Sequence, residues 1–308
     1  MITNHNNIHS DTMQSTPKIS NNYLKKERTI PFYKPKIMGI LNVTTDSFYD
    51  GSKCIKHDEA FRYAQKLISE GADIIDIGGE TSKPGSRPTD VETEIKRIIP
   101  VIKALREDTD ITISVDTRNS TTARLAIENG ATMINDISAL QDDINMVNVL
   151  RDYQQIKVVL MHKKGVPLTM QENPVYSCVL TDILEFFKER IGYAVNKGIT
   201  LDRIIIDPGI GFGKNFEHNI TILQNLEAFN SLGLPILLGA SRKSFLNSIY
   251  ASAPEDRLIG SLATTVIAGY KKIDFIRVHD VKEHKELIDC LSVLTNPIVN
   301  NLQRVGTL

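Results

Sequence analysis

Arg203-Ile204-Ile205-Ile206-Asp207-Pro208-Gly209-Ile210-Gly211-Phe212-Gly213-Lys214 is the stretch from which the fold can be read. An unbroken β-branched run suits a strand buried on both faces, as in a parallel sheet covered by helices. The run ends in a carboxylate, and a glycine-rich turn follows at once. The same pattern recurs along the chain. Lys36–Leu41 runs into Asn42, Ile111–Val115 into Asp116, and Thr132–Ile134 into Asn135 and Asp136. Lys157–Met161 meets His162, Pro235–Ala240 meets Ser241, Asp274–Ile276 meets Arg277, and Ala72–Ile77 is a further β-branched run.

Helical stretches separate these runs. Phe61, Ala64, Leu67 and Ile68 recur at helical spacing and Gly71 supplies a stop. Thr89 and Glu92 read as a capping box ahead of Val91, Ile95, Ile98, Ile102 and Leu105, and Ser120 as the cap of a helix closed by Gly130. Leu180, Ile183, Leu184, Phe187, Ile191 and Ala194 line another helix, Ile220, Leu223, Leu226 and Phe229 a sixth, and Val281, Leu287, Ile288 and Leu291 the last. Eight strand-then-helix units predict an α/β fold, a single (β/α)8 TIM barrel over residues 35–296. Polar residues at strand exits then share its carboxyl-end mouth. An open doubly wound sheet would gather ligand groups at one switch point instead.

Residues 1–34 are rich in Asn, Ser, Thr, Lys and His without an apolar period, and read as a flexible extension. Residues 297–308 read as a C-terminal tail. Asn42–Lys56, Gly78–Asp90 and Lys163–Ser177 are longer than the barrel needs, and loops of that kind bind or cover ligands. With 308 residues and a formal net charge of −1, the chain has no basic field for nucleic acid or an anionic membrane. Three scattered cysteines, with no C-x-x-C pair, argue against a disulfide framework or zinc and for a reducing cytoplasm.

The glycines at 209, 211 and 213 allow close approach of backbone to a ligand, although a plain βα turn would use them too. Neither a P-loop nor a dinucleotide fingerprint has this spacing. Ser241-Arg242-Lys243-Ser244 puts two cations at a strand exit, where a ligand or carboxylate must pair them or they stand solvated at a helix start. Arg277 and His279 fall on one side of the eighth strand, near where barrels bind phosphate. No nucleophile elbow is present.

In order and spacing, Gly39-Ile40-Leu41-Asn42-Val43-Thr44, Asp76-Ile77-Gly78-Gly79-Glu80, Ser114-Val115-Asp116-Thr117, Ile134-Asn135-Asp136, Leu160-Met161-His162, the Asp207–Lys214 loop, Ser241-Arg242-Lys243-Ser244 and Arg277-Val278-His279 resemble the dihydropteroate synthase family. The resemblance runs from Lys36 to about Ile288. It implies condensation of 7,8-dihydropterin-6-ylmethyl diphosphate with 4-aminobenzoate in folate biosynthesis, with release of pyrophosphate, use of Mg2+, a homodimer, and inhibition by sulfonamides.

By the same resemblance, Asp207, Asn135, Asp116 and Lys243 meet the pterin edge, Ser82 contributes a hydroxyl, and Met161 and Phe212 form apolar walls. Asp116, Lys243, Arg277 and His279 carry catalysis. Asn42, Arg277 and His279 meet the diphosphate, Asn42 also serving as metal ligand. Phe48, Lys83, Pro84 and Ser241 surround the aminobenzoate. The chain departs from the usual pattern at Thr45, at Ser82-Lys83 and at Lys163-Lys164. Lys83 lacks the planar fork of the arginine common there.

Two other classes share the pterin pocket. A non-catalytic pterin-binding paralogue would not need Arg277, His279 and Asn42. A methyltetrahydrofolate:corrinoid methyltransferase would need a cobalt-carrying partner and has no use for Ser241–Ser244.

Overall fold

The computed structural model describes residues 31–43, 57–80, 89–165, 170 and 172–295. Eight strands occur in the expected places: β1 (Lys36–Asn42), β2 (Ile74–Gly78), β3 (Thr112–Asp116), β4 (Met133–Asp136), β5 (Lys157–Met161), β6 (Ile204–Asp207), β7 (Leu237–Leu238) and β8 (Phe275–Val278). All pair in parallel, in the order β6-β5-β4-β3-β2-β1-β8-β7. The remaining seam closes where Ile206 bridges Ile236 and its N–H donates to the Pro235 carbonyl at 3.0 Å. The result is a nearly closed (β/α)8 barrel.

Among the described residues the eight α-helices are α1 (His57–Ser69), α2 (Val91–Asp108), α3 (Ser120–Glu128), α4 (Met146–Asp152), α5 (Val179–Asn196), α6 (Phe216–Gln224), α7 (Leu258–Tyr270) and α8 (Val281–Thr295). No helix of the described residues is long and apolar enough to cross a membrane.

Alternation along the strands divides the core in two. Outward residues such as Ile75, Ile77, Ile113, Val115, Val158, Leu160, Ile204 and Ile206 join one cluster with the helices. Inward residues Met38, Ile74, Met133, Val159, Ile205 and Leu237 form a second cluster, with Phe275 packed against it. That inner plug is apolar apart from Ser114, the buried β3 residue paired in register with Met133, and it seals the barrel below the site. Burial stabilises by about 1.5–3 kcal/mol for each large apolar side chain.

Four local expectations are corrected. The flexible extension expected over residues 1–34 does not include its last residues: Phe32 is buried, its N–H donates to Thr295 Oγ1 at 3.3 Å, and Tyr33 N–H donates to the Gly269 carbonyl at 3.3 Å. The ordered fold therefore starts by Phe32, whose ring occupies the space that Gly269 leaves open on α7. Asp90, not a Thr89–Glu92 box, caps α2 by accepting from the Thr93 N–H at 2.9 Å. Ser120 is the first residue of α3 rather than its cap, and its N–H goes to Asp143 Oδ2 at 2.8 Å. Pro235–Ala240 yields only a two-residue β7. Residues 1–30 and 296–308 lie outside the described residues.

Candidate active site at the carboxyl ends of the strands

Two residues beyond the apolar plug, the same inner face changes character. Met38 is followed by Ile40, Ile74 by Asp76, Met133 by Asn135, Val159 by Met161, Ile205 by Asp207, Leu237 by Gly239 and Phe275 by Arg277. On β3, Ser114 is followed by Asp116. Carboxylates, an amide and a guanidinium thus stand on a dry apolar base.

One side of this layer is an ion-pair network. Arg277 donates from Nε to Asp76 Oδ2 at 2.6 Å and from Nη2 to Asp116 Oδ2 at 2.8 Å. Asn135 Nδ2 donates to the same Asp76 oxygen at 3.1 Å. Arg277, expected at the diphosphate, is therefore held by two carboxylates within the pterin group of residues. Asp76, quoted in the motif Asp76–Glu80 but given no role from the sequence, is thus a member of the site. Its run Ala72–Ile77 also holds Asp73, and nothing local told the inward carboxylate from the other.

Asp76 Oδ1 and Asn135 Oδ1 are buried without a hydrogen-bond partner among the described residues. Such atoms are costly unless a ligand or water meets them. Burial pushes the Asp116 carboxyl up to about 7, against the pull of Arg277 and with further upward pressure from Asp76.

Across the mouth stand Asp207 and Lys243. Asp207 Oδ1 accepts from the Gly209 N–H at 2.7 Å. A Cβ on Gly239 would come within 3.5 Å of Oδ2, so the missing side chain keeps room beside that oxygen. Burial raises the Asp207 pKa, opposed by the Gly209 N–H and by Lys243, Lys214 and Arg277. Lys243 Nζ sits 4.0 Å from the centroid of the Phe212 ring, and desolvation lowers its ammonium to about 8. Phe212 and Met161 pack with Ile137 and Met170 in one apolar cluster, the last two unforeseen.

The two adjacent cations separate. Arg242, at φ 56°, donates from Nε to Asp280 Oδ2 at 2.9 Å, while Lys243 turns toward Phe212. That left-handed residue is uncommon outside glycine and marks the tight turn between them. Ser241 lies against His279: the backbone N–H of His279 donates to Ser241 Oγ at 3.3 Å, and Oγ is 3.1 Å from Nδ1. If the hydroxyl donates to Nδ1, the imidazole proton sits on Nε2. Burial, then Arg277, lowers the His279 pKa to about 3, so it is neutral rather than a cation in the free protein.

Asn42 ends β1. Its Oδ1 would be 3.6 Å from a Cβ on Gly78, which would also touch the Asp116 Cβ at 3.5 Å. Glycine at 78 therefore leaves the gap between Asn42 and Asp116 open. Phe48, Ser82, Lys83 and Pro84 lie outside the described residues, as does Thr45. Asp116, Asn135, Met161, Asp207, Phe212, Ser241, Lys243, Arg277, His279 and Asn42 all belong to the carboxyl-end rim of one barrel.

A barrel whose mouth combines this polar layer with apolar walls defines a pterin-binding class of protein, and comparison with known proteins agrees. The model of the pterin binding enzyme family matches residues 38–279. The chain belongs to that family. A dihydropteroate synthase of Clostridium beijerinckii is 45% identical over 249 residues, covering 80% of this chain and 90% of the relative. The crystal structure of Yersinia pestis dihydropteroate synthase with a sulfonamide drug superposes with a TM-score of 0.81 at 40% identity, covering 85% of this chain and 94% of that one. The Xanthomonas albilineans enzyme with 4-aminobenzoic acid superposes with a TM-score of 0.79 at 38% identity, covering 86% and 94%.

Proposed function

We infer that the chain is a dihydropteroate synthase, a transferase of folate biosynthesis. It joins 7,8-dihydropterin-6-ylmethyl diphosphate to 4-aminobenzoate and releases pyrophosphate. The observation that carries the pocket assignment is the polar inner layer, with Asp116, Asn135, Asp207 and Lys243 gathered around Arg277 above a largely apolar plug.

A reduced pterin edge alternates N–H donors with acceptors. Asp207 Oδ2 and the unpartnered Asn135 Oδ1 suit the N–H groups, and Lys243 suits the ring carbonyl. Phe212 and Met161 exclude water from the ring. The amine of 4-aminobenzoate is uncharged at neutral pH, so the reaction needs no strong base. We assign a dissociative step, in which the C–O bond to the diphosphate breaks first and the pterin ring carries the resulting cation.

Ionised Asp116 favours that cation, and the dry surroundings strengthen the effect. Arg277 uses Nε and Nη2 on carboxylates and keeps Nη1 for a phosphate oxygen. His279 serves as a neutral donor through Nε2, a weaker role than the positive charge expected of it. Asn42 would hold Mg2+ through its amide oxygen, which suits an ion that prefers oxygen ligands, takes few from protein and keeps substrate phosphates and water. Bound there, Mg2+ supplies neutralisation of leaving-group charge.

Retention of Arg277 and His279 beside the pterin groups speaks against a non-catalytic carrier. A homodimer would draw on exposed Ile259, Ile267 and Tyr270 on α7 and Val293 and Leu294 on α8, apolar side chains on two helices that pack together. Sedimentation at micromolar concentration tests it, and a monomer there removes it. Exposed free Cys178 and Cys290 suit a reducing cytoplasm.

The test of the reaction is pyrophosphate release from the pterin diphosphate, with and without 4-aminobenzoate and Mg2+. Release that depends on both is expected. Tight pterin binding without any release would mean a carrier.

A further inference from the structure

Lys214 is a lysine almost without solvent contact, at 2% exposure, and the reaction as described above gives it nothing to do. Lysine is rarely buried so fully unless its charge is paired. Among the described residues its ammonium makes no carboxylate ion pair. Its Nζ instead lies 2.9 Å from His162 Nδ1, 3.3 Å from the His162 carbonyl and 3.0 Å from the Phe212 carbonyl. Three acceptors match the three donors of an ammonium, with the imidazole proton left on Nε2. Desolvation lowers the Lys214 pKa to about 7, and Asp207 pulls the other way.

These contacts join two segments. His162 is the residue immediately after β5, and Phe212 lies in the glycine loop after β6. The loop rests on the β5 exit so closely that a Cβ on Gly209 would stand 2.0 Å from the His162 carbonyl oxygen, and one on Gly213 2.0 Å from that of Lys164. Tyr176 adds a bond from its hydroxyl to the Gly213 carbonyl at 2.8 Å. Phe212, whose carbonyl Lys214 grips, is the ring beneath the Lys243 ammonium.

We propose that Lys214 is a positioning residue for the pterin half of the site: its buried ammonium clamps the β6 loop to the β5 exit and thereby sets where Phe212 and Lys243 meet the pterin ring. This rests on the dihydropteroate synthase reading. The clamp reaches the pterin wall, and Ser241, the one residue expected around aminobenzoate that is described, is not among its partners, so its loss should act more on the pterin than on the second substrate.

The experiment is Lys214→Met, which keeps an unbranched side chain as far as Cε and removes the charge and all three bonds. Calorimetry measures the affinity for the pterin diphosphate alone, and steady-state kinetics give KM for each substrate. The clamp predicts a loss of pterin affinity of about tenfold or more, with the 4-aminobenzoate KM within about twofold of wild type. Equal changes in both substrates, or a lower kcat with both KM values unchanged, would overturn it.

If Lys214→Met does not fold, the pair His162→Leu and His162→Asn replaces it. Leucine removes one acceptor and should weaken pterin binding, whereas asparagine can restore an oxygen acceptor and recover it. Identical pterin affinities for the two variants sink the proposal. Because the affinity is read without turnover, a wild-type protein that failed to release pyrophosphate would contradict the enzyme reading and leave this measurement intact.

Discussion

The lower and upper levels of the barrel interior are built by the same strands and differ by two residues of rise. Below, Met38, Ile74, Met133, Val159, Ile205 and Leu237 fill the interior with apolar atoms. Above, Asp76, Asn135 and Asp207 stand on the same face of three of those strands, and Arg277 stands two residues beyond Phe275 on β8. The lower level contributes packing and carries no recognition. The upper level carries recognition at a cost in desolvation, visible as Asp116 driven up to about 7 and Lys243 down to about 8. Recognition here depends on the dry plug, because the same groups in water would keep their ordinary pKa values and interact weakly.

The largest effect should follow removal of the cation that holds the upper level together. Arg277→Met leaves Asp76 and Asp116 without their partner, and breaking a buried pair in this way costs about 3–5 kcal/mol. Urea denaturation should show that loss, and turnover should vanish with it. Unchanged stability would mean that the network contributes nothing to the fold.

Leu237→Ala strikes the lower level, at a cost of about 2–5 kcal/mol in stability. Its KM values at low temperature should stay near wild type. A large rise in KM would show that the two levels are less separable than their chemistry suggests.

Asp207→Asn keeps the volume and turns an acceptor into a donor facing ring N–H groups. Each charge-assisted bond lost is about 1.5–3 kcal/mol. A fall in kcat/KM of about tenfold to a hundredfold is expected. Turnover near wild type would take Asp207 out of the pocket.

The pH dependence is a milder probe. With its pKa near 7, Asp116 is protonated below that value and cannot favour the cation, so kcat/KM should fall by about tenfold per pH unit on the acid side. Asp116→Asn should be slower throughout and should lose that limb. A limb unchanged in the variant assigns it to another group. Smallest of all, Lys83→Arg should shift the ratio of sulfonamide inhibition to aminobenzoate affinity by a few-fold, since the planar guanidinium presents different geometry. An unchanged ratio means that position 83 does not read the arene.

Much of the barrel was legible because parallel strands buried on both faces are long apolar runs, and all eight runs produced strands. Helix starts were harder to read. Thr89, Asp90 and Ser120 are all competent caps, and only the path of the chain selects Asp90 for α2 and leaves Ser120 inside α3. β7 shrank to Leu237–Leu238 because ladder pairing depends on neighbours that a single segment does not reveal. α7 carries apolar and small residues almost all round, so periodicity did not mark it.

At the site, exits such as Asp207 and Arg277 were visible because a charge ends an apolar run. Asp76 received no role because it sits inside one. The roles of Gly78 and Gly239 are absences of side chain, which acquire meaning only once Asp116, Asn42 and Asp207 are placed around them. The coupling of Arg277 to two carboxylates joins residues 201 and 161 positions apart, beyond any local pattern.

A crystal structure of the protein with the pterin diphosphate is the most direct measurement of all. The ring should lie against Phe212 and Met161, with Asp207 and Asn135 on its N–H edge, Lys243 at its carbonyl, and the diphosphate toward Arg277 and Asn42. Electron density for the ring anywhere outside the upper level of the barrel, or with Asp207 facing away from it, would contradict that picture.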